Sequence, residues 1–175
     1  NYSSGKMGKA IANELSSRGA MVHLVLGPVS ADGLDTKIHL TKIESAQEMY
    51  KACSEIFTTC DAAILSAAVA DYRPASQEDQ KIKKKTEEFN LELVKTVDVL
   101  KSLGEIKKNH QFLAGFALET QNEQENALLK LEKKNLDFII LNSMNDKGAG
   151  FGKDTNKITI LEKNGKKHTF ETKPK

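Results

Sequence analysis

Apolar and polar positions change period several times along the chain, and each change predicts an element. Residues 5–18 carry Met7, Ile11 and Leu15 at spacings of four, a helical stripe, and Arg18-Gly19 ends it because glycine accepts a left-handed cap. Ala20 to Leu26 is a short apolar run with β-branched content, read as a buried strand and broken by Gly27-Pro28. Residues 37–43 alternate polar and apolar as a half-exposed strand does. From Ser45 to Thr58, Met49, Ala52, Cys53, Ile56 and Phe57 form one helical stripe, and Ser45 with Glu48 makes a capping box. Ala62–Ala68 reads as a central strand, followed by a long polar stretch over 69–90.

The second half repeats the alternation. A short strand at Leu91–Val94 precedes a helix over Asp98–Lys107 and a strand over Phe112–Ala117. Gln124–Lys134 is a helix, Phe138–Leu141 a strand, and 142–154 a Gly-rich loop. Two strand-like runs, 157–162 and 167–172, flank Asn164-Gly165, a strong hairpin signal. Strands alternating with helices imply right-handed βαβ units and a mostly parallel sheet. The economical fold is a Rossmann-like, three-layer, doubly wound α/β sheet with an antiparallel C-terminal edge hairpin, in one domain spanning 1–175. Ligands in such sheets bind beyond the carboxyl ends of the strands. That edge would collect loops 1–5, 27–30, 66–73, 95–98, 115–120 and 142–152.

Composition narrows the classes. The 175 residues are 39% hydrophobic and 29% charged, as in a folded globular domain. A net charge of +2 gives no overall pull toward nucleic acid or anionic membrane, so neither is expected as a partner. No apolar run nears the ~20 residues that cross a bilayer. Cys53 and Cys60 do not make a Cys-x-x-Cys pair, which fits a reducing, cytoplasmic setting, and Cys53 reads as core.

Four stretches on the expected ligand edge carry candidate chemistry. Asn1-Tyr2-Ser3-Ser4-Gly5-Lys6-Met7-Gly8 brings hydroxyls, a lysine and backbone N–H groups to a helix start, which suits an anion. It is neither a P-loop nor a complete Gly-x-Gly-x-x-Gly, and a plain capped helix would read the same. Ser66-Ala67-Ala68-Val69-Ala70-Asp71-Tyr72-Arg73 ends the central strand in small residues that admit a flat ligand. There Asp71 can accept from a sugar or base, help hold a metal-bound phosphate, or simply pair with Arg73. Lys81-Ile82-Lys83-Lys84-Lys85 can close over a triphosphate, although most such runs are solvated surface. Phe116, in Gly115-Phe116-Ala117-Leu118-Glu119-Thr120, can stack on a base. Lys130 and Lys134 share a helix face, a small cost unless an anion lies near, though most such pairs are simply solvated.

Taken in order, these blocks resemble the phosphopantothenate–cysteine ligase family, also called phosphopantothenoylcysteine synthetase. The resemblance runs from residue 1 to about 160 and includes Gly27-Pro28-Val29-Ser30 and Lys134-Asn135-Leu136-Asp137. It is closer to the bacterial, CTP-dependent branch through Lys81-Ile82-Lys83-Lys84 and the Lys130/Lys134 pair. The resemblance implies a ligase of coenzyme A biosynthesis that condenses 4'-phosphopantothenate with cysteine. In that family the substrate carboxylate attacks the α-phosphate of CTP, pyrophosphate leaves, and the cysteine amine attacks the acyl-cytidylate. By residue-wise match, Asn1 would support the second half-reaction and Lys81 would be the loop lysine over the site. Ser66, Ala67, Ala68, Asp71, Asp98, Phe116, Lys130 and Lys134 would hold the nucleotide, and Ser3, Ser4, Gly5 and Lys6 the phosphate-bearing substrate. Mg²⁺ is implied as counter-ion, a homodimer as the assembly, and a flavin-dependent decarboxylase domain as a fusion partner.

Family members usually begin with a strand and a Gly-Gly-Thr-type loop and end with a helix, so the chain is expected to be a synthetase domain shortened at both ends. The loop after Lys95 reads Thr96-Val97-Asp98 where the family often has Asn-Pro-Asp. Two other classes compete. An NAD(P)-dependent Rossmann oxidoreductase needs a full glycine fingerprint and an acid after the second strand, where Gly27 stands instead. A non-catalytic nucleotide-binding module would leave Asn1 and Asp71 without a role.

Overall fold

The computed structural model describes residues 4–76, 80, 90–119, 121–143 and 155–174. Helix α1 runs Lys6–Ser17, followed by β1 (His23–Leu26), β2 (His39–Lys42), α2 (Ala46–Phe57) and β3 (Ala62–Leu65). Next come β4 (Tyr72–Pro74), β5 (Leu93–Lys95), α3 (Val99–Ile106), β6 (Phe112–Glu119), α4 (Glu123–Lys133) and β7 (Phe138–Ser143). The chain continues through β8 (Thr155–Asn156), β9 (Ile158–Glu162), β10 (Lys167–Thr169) and β11 (Lys173–Pro174).

The central sheet has the order β10-β9-β7-β6-β3. β3, β6 and β7 are parallel, while β9 and β10 run antiparallel at the edge. The expected hairpin forms there, with Gly165 at φ 87° after Asn164, a backbone conformation that favours glycine. β1 and β2 pair in parallel as a separate two-stranded sheet.

One face of the central sheet carries Leu113 and Ala117 of β6, Ile139 and Leu141 of β7 and Leu161 of β9. They pack against Phe57 of α2, Leu103 of α3 and Ala127 and Leu131 of α4. Leu113 and Leu136 are 0% exposed, and burying each is worth roughly 1.5–3 kcal/mol. A second cluster of Ile43, Met49 and Val99, with Val25 and Leu65 against it, ties β1 to β3 through side chains. Strand alternation puts Val25 and Leu26 on opposite faces. Val25 meets α2, whereas Leu26 lies under the start of α1, where a Cβ on Gly5 would stand 3.7 Å from Leu26 Cδ1. Helices therefore flank the β1–β2 sheet on both sides, the doubly wound arrangement.

Some sequence expectations shift. The α1 stripe is not Met7-Ile11-Leu15: Leu15 is 37% exposed, and the buried residues are Ala12 and Ser16. The Gly8-Ala12-Ser16 side packs because its small residues allow close approach. β1 uses only the last four residues of the apolar run, and Met21 is left 79% exposed. β4, β8 and β11 are short strands that carry too little periodicity to be read beforehand. The capping box forms as expected, Glu48 N–H donating to Ser45 Oγ at 3.2 Å and Ser45 Oγ donating to Glu48 Oε1 at 2.9 Å.

Candidate functional site

Three of the sequence blocks converge at the carboxyl ends of β1 and β3. α1 starts on Gly5 at φ 69°, an N-cap residue that has no side chain to cap the helix itself. A Cβ on Gly5 would lie 2.8 Å from Val29 Cγ2, and one on Gly8 would lie 3.1 Å from Ser66 Oγ. Gly5 and Gly8 thus bring the α1 start against the 27–30 loop and the end of β3. Ser4 accepts from Lys6 N–H at 3.4 Å, a long contact, and both side chains are exposed.

Beyond β3, Ser66 and Ala68 are half-buried and Ala67 and Asp71 are exposed. The β4–β5 ribbon pairs Tyr72 with Lys95, and Thr96 N–H donates to Asp71 O at 2.9 Å. Asp71 is therefore tied beside the loop that leads to Asp98. Register pairs Leu65 with Gly115, which sets Phe116, half-buried, level with Ser66 by continuation. Gly115 leaves room for Leu100, because a Cβ there would stand 2.4 Å from Leu100 Cδ2 and displace that side chain.

Asp98, Lys134 and Lys130 are already engaged. Asp98 caps α3 by accepting from Lys101 N–H at 3.0 Å, and Lys134 Nζ lies 2.8 Å from Asp98 Oδ2. Burial raises the Asp98 pKa, but the hydrogen bonds from Lys134 and Lys101 N–H and their charges outweigh it and hold the carboxyl below its ordinary value. Lys130 Nζ meets Glu119 Oε1, at the end of β6, at 2.5 Å. Each lysine of the shared helix face has thus found a carboxylate, which relieves the repulsion expected between them.

Two polar groups on this edge escaped the sequence reading. Asn142 Oδ1 and Thr96 Oγ1 are buried with no hydrogen-bond partner among the described residues. Asn142 sits at the end of β7, beside Leu118 of β6 and Ile158 of β9. A carboxamide left unpaired where a sheet binds ligands is a candidate contact, because an unmade buried hydrogen bond is costly. A polar residue closing an apolar strand is the available signal, but the Gly-rich pattern over 142–154 assigns it to a loop.

Asn1, Ser3, Lys81 and the rest of its lysine run fall outside the described residues, as do Thr120 and 144–154. Among the described residues no three His, Cys, Asp or Glu side chains gather as a metal site, and no helix is long and apolar enough to cross a membrane.

The family model described as the DNA/pantothenate metabolism flavoprotein C-terminal domain matches residues 1–175. The chain belongs to this family. A cysteine/cysteine sulfinic acid decarboxylase from an unknown prokaryotic organism is 49% identical over all of this chain and 49% of its own length. The coenzyme A biosynthesis bifunctional protein CoaBC of Bacillus subtilis (strain 168) is 46% identical over 95% of this chain and 41% of that protein. The chain thus spans about half the length, or less, of these relatives. Among solved structures, the C-terminal domain of a CoaBC protein aligns with a TM-score of 0.81 at 39% identity, covering 99% of this chain and 78% of that one. The expected fold is borne out by that match.

Proposed function

We propose that this family member joins 4'-phosphopantothenate to cysteine through an acyl-cytidylate, consuming CTP, as a step of coenzyme A biosynthesis. The observation that carries the reading is the structural match over 99% of the chain to the C-terminal domain of a CoaBC protein. The convergence of Gly5, Gly8 and Ser66 at one carboxyl edge supports it.

In this reading the start of α1 receives an anionic group, with Ser3, Ser4 and Lys6 around it. Phe116 offers a face to the base and the Asn142 carboxamide a donor and an acceptor to its edge. Ser66, Ala67 and Ala68 allow close approach, and Asp71 holds the nucleotide. Mg²⁺ keeps most of its waters and needs only one or two protein carboxylates beside the phosphates, so exposed Asp71 suits it, and the ion supplies charge neutralisation. Lys130 and Lys134 serve the triphosphate by exchanging their carboxylate partners for phosphate oxygens. The substrate carboxylate forms a bond to the α-phosphorus as the bond to the pyrophosphate oxygen breaks, with Lys81 offsetting the charge that builds on the leaving group. The cysteine amine then adds to the acyl carbonyl, assisted by Asn1, and CMP leaves as the amine gives up a proton. A homodimer, a cytoplasmic setting and a flavin-dependent decarboxylase fused to the chain complete the reading.

The test is pyrophosphate release from CTP with phosphopantothenate and cysteine, together with mass detection of the ligated product. Lys81→Ala should cut pyrophosphate release at least 100-fold, a loss of roughly 2.7 kcal/mol of transition-state stabilisation. Asn1→Asp should let the acyl-cytidylate accumulate. Carbon dioxide release from cysteine or cysteine sulfinate, with no CTP-dependent product, would favour the activity carried in the decarboxylase relative's name.

A further inference from the structure

At the amino ends of β1 and β2, two of the chain's four histidines stand side by side. His23 and His39 are Cα partners in the parallel register. Their rings stack with centroids 4.8 Å apart and planes 19° apart, and both residues are exposed. Strand alternation puts His23 on the face of Val25, which packs into the Ile43–Met49–Val99 cluster. The ring pair therefore stands on the edge of a packed face, at two solvent-exposed residues. Backbone pairing holds the roots of the two side chains one strand spacing apart, so turns about their χ angles are enough to bring one nitrogen of each ring to a single ligand.

Stacked rings turn their faces to each other, so chelation means unstacking; two imidazoles rooted one strand spacing apart then form a bidentate donor set. Imidazole nitrogen suits zinc, copper and nickel, whereas magnesium and calcium prefer oxygen ligands. We propose that His23 and His39 form a surface site for one divalent transition-metal ion of the zinc, nickel and copper group, with water in the remaining positions. The site is separate from the ligand edge. His23 is three residues before Leu26 at the other end of β1, about 10 Å at roughly 3.3 Å per residue. Among the described residues β1 and β2 have only each other as strand partners, so an ion bridging the two rings clamps that pair. An ion that binds only the folded form also raises stability by mass action.

The experiment is a Zn²⁺ titration of the chain followed by the ring ¹H–¹³C signals of all four histidines. The His23 and His39 signals should move together and saturate at one ion per chain, while His110 and His168 stay in place. His168 serves as an internal control because its Nε2 already lies 2.6 Å from Glu162 Oε1. Removing one arm of a chelate forfeits its effective concentration, so His39→Gln should weaken binding about 100-fold. His168→Gln should leave it unchanged. Separate titration of His23 and His39, or movement of His110 at lower Zn²⁺ than the pair, would overturn the proposal, as would full affinity in His39→Gln.

Discussion

Where α3 meets the turn 134–137, polar groups are matched one by one; along the carboxyl edge of the sheet several are not. In the turn, Lys107 Nζ lies 2.8 Å from Asp137 Oδ2, which also accepts from Leu113 N–H at 2.8 Å. Asn135 takes φ 51°, donates to Gly104 O at 3.0 Å and accepts from Lys163 at 3.1 Å. Lys134 reaches Asp98 at the start of the same helix. At the carboxyl edge, by contrast, the N-cap of α1 is a glycine, Ala67 and Asp71 are exposed, and Asn142 Oδ1 and Thr96 Oγ1 have no partner among the described residues. One region spends its polar groups on holding a helix in place, and the other keeps them available. Under the proposed function, stability and ligand chemistry are thus divided between two regions, and Asp98 and Lys134 belong at least partly to the first.

Substitutions can break this contrast. The largest effect is expected at Gly104, where a Cβ would stand 2.0 Å from the Lys134 carbonyl oxygen. Backbone cannot yield as a side-chain tip does, so Gly104→Ala should cost more than about 3 kcal/mol in denaturant unfolding, despite a gain of about 1 kcal/mol in helix propensity. Lys107→Ala comes next, because it leaves the Asp137 carboxylate unpaired. The Lys107 side chain is 8% exposed but that of Asp137 is 28%, so the loss should be about 2 kcal/mol, below the fully buried case.

A smaller effect concerns pH. The Asp98 carboxyl is held below its ordinary value, so its contribution is complete above the unfolded pKa of about 3.9 and is lost as pH falls through the lower folded value. Melting temperature followed from pH 6 to pH 2 should show a shallower acid decline for Asp98→Asn than for the native chain. The smallest effect is chemical. Burial pushes the Cys53 thiol up to about 11, so a disulfide reagent at pH 8 should leave Cys53 unlabelled in the folded chain and label it after unfolding.

Much of this division could be read from the residues beforehand, and the unread part has physical causes. The capping box at Ser45 and Glu48, the hairpin at Asn164-Gly165 and the core place of Cys53 are local signals, and each appears in the fold. The α1 stripe differs from the apolar pattern because packing there is set by small residues, Gly8, Ala12 and Ser16, rather than by the large apolar ones. The Asp98–Lys134 and Lys107–Asp137 pairs join positions some thirty residues apart, and no local periodicity announces them. Asn142 is marked only by its tertiary setting, an Oδ1 buried with no partner among the described residues.

The most direct test of ligand binding at the carboxyl edge is hydrogen–deuterium exchange with and without CTP, Mg²⁺ and 4'-phosphopantothenate. Ligand should slow exchange in the segments around 4–8, 66–71, 115–119 and 142–143 and leave 104–107 and 134–137 unchanged. Protection confined to the α3 seam, or no protection at the carboxyl edge with ligand at saturation, would contradict it.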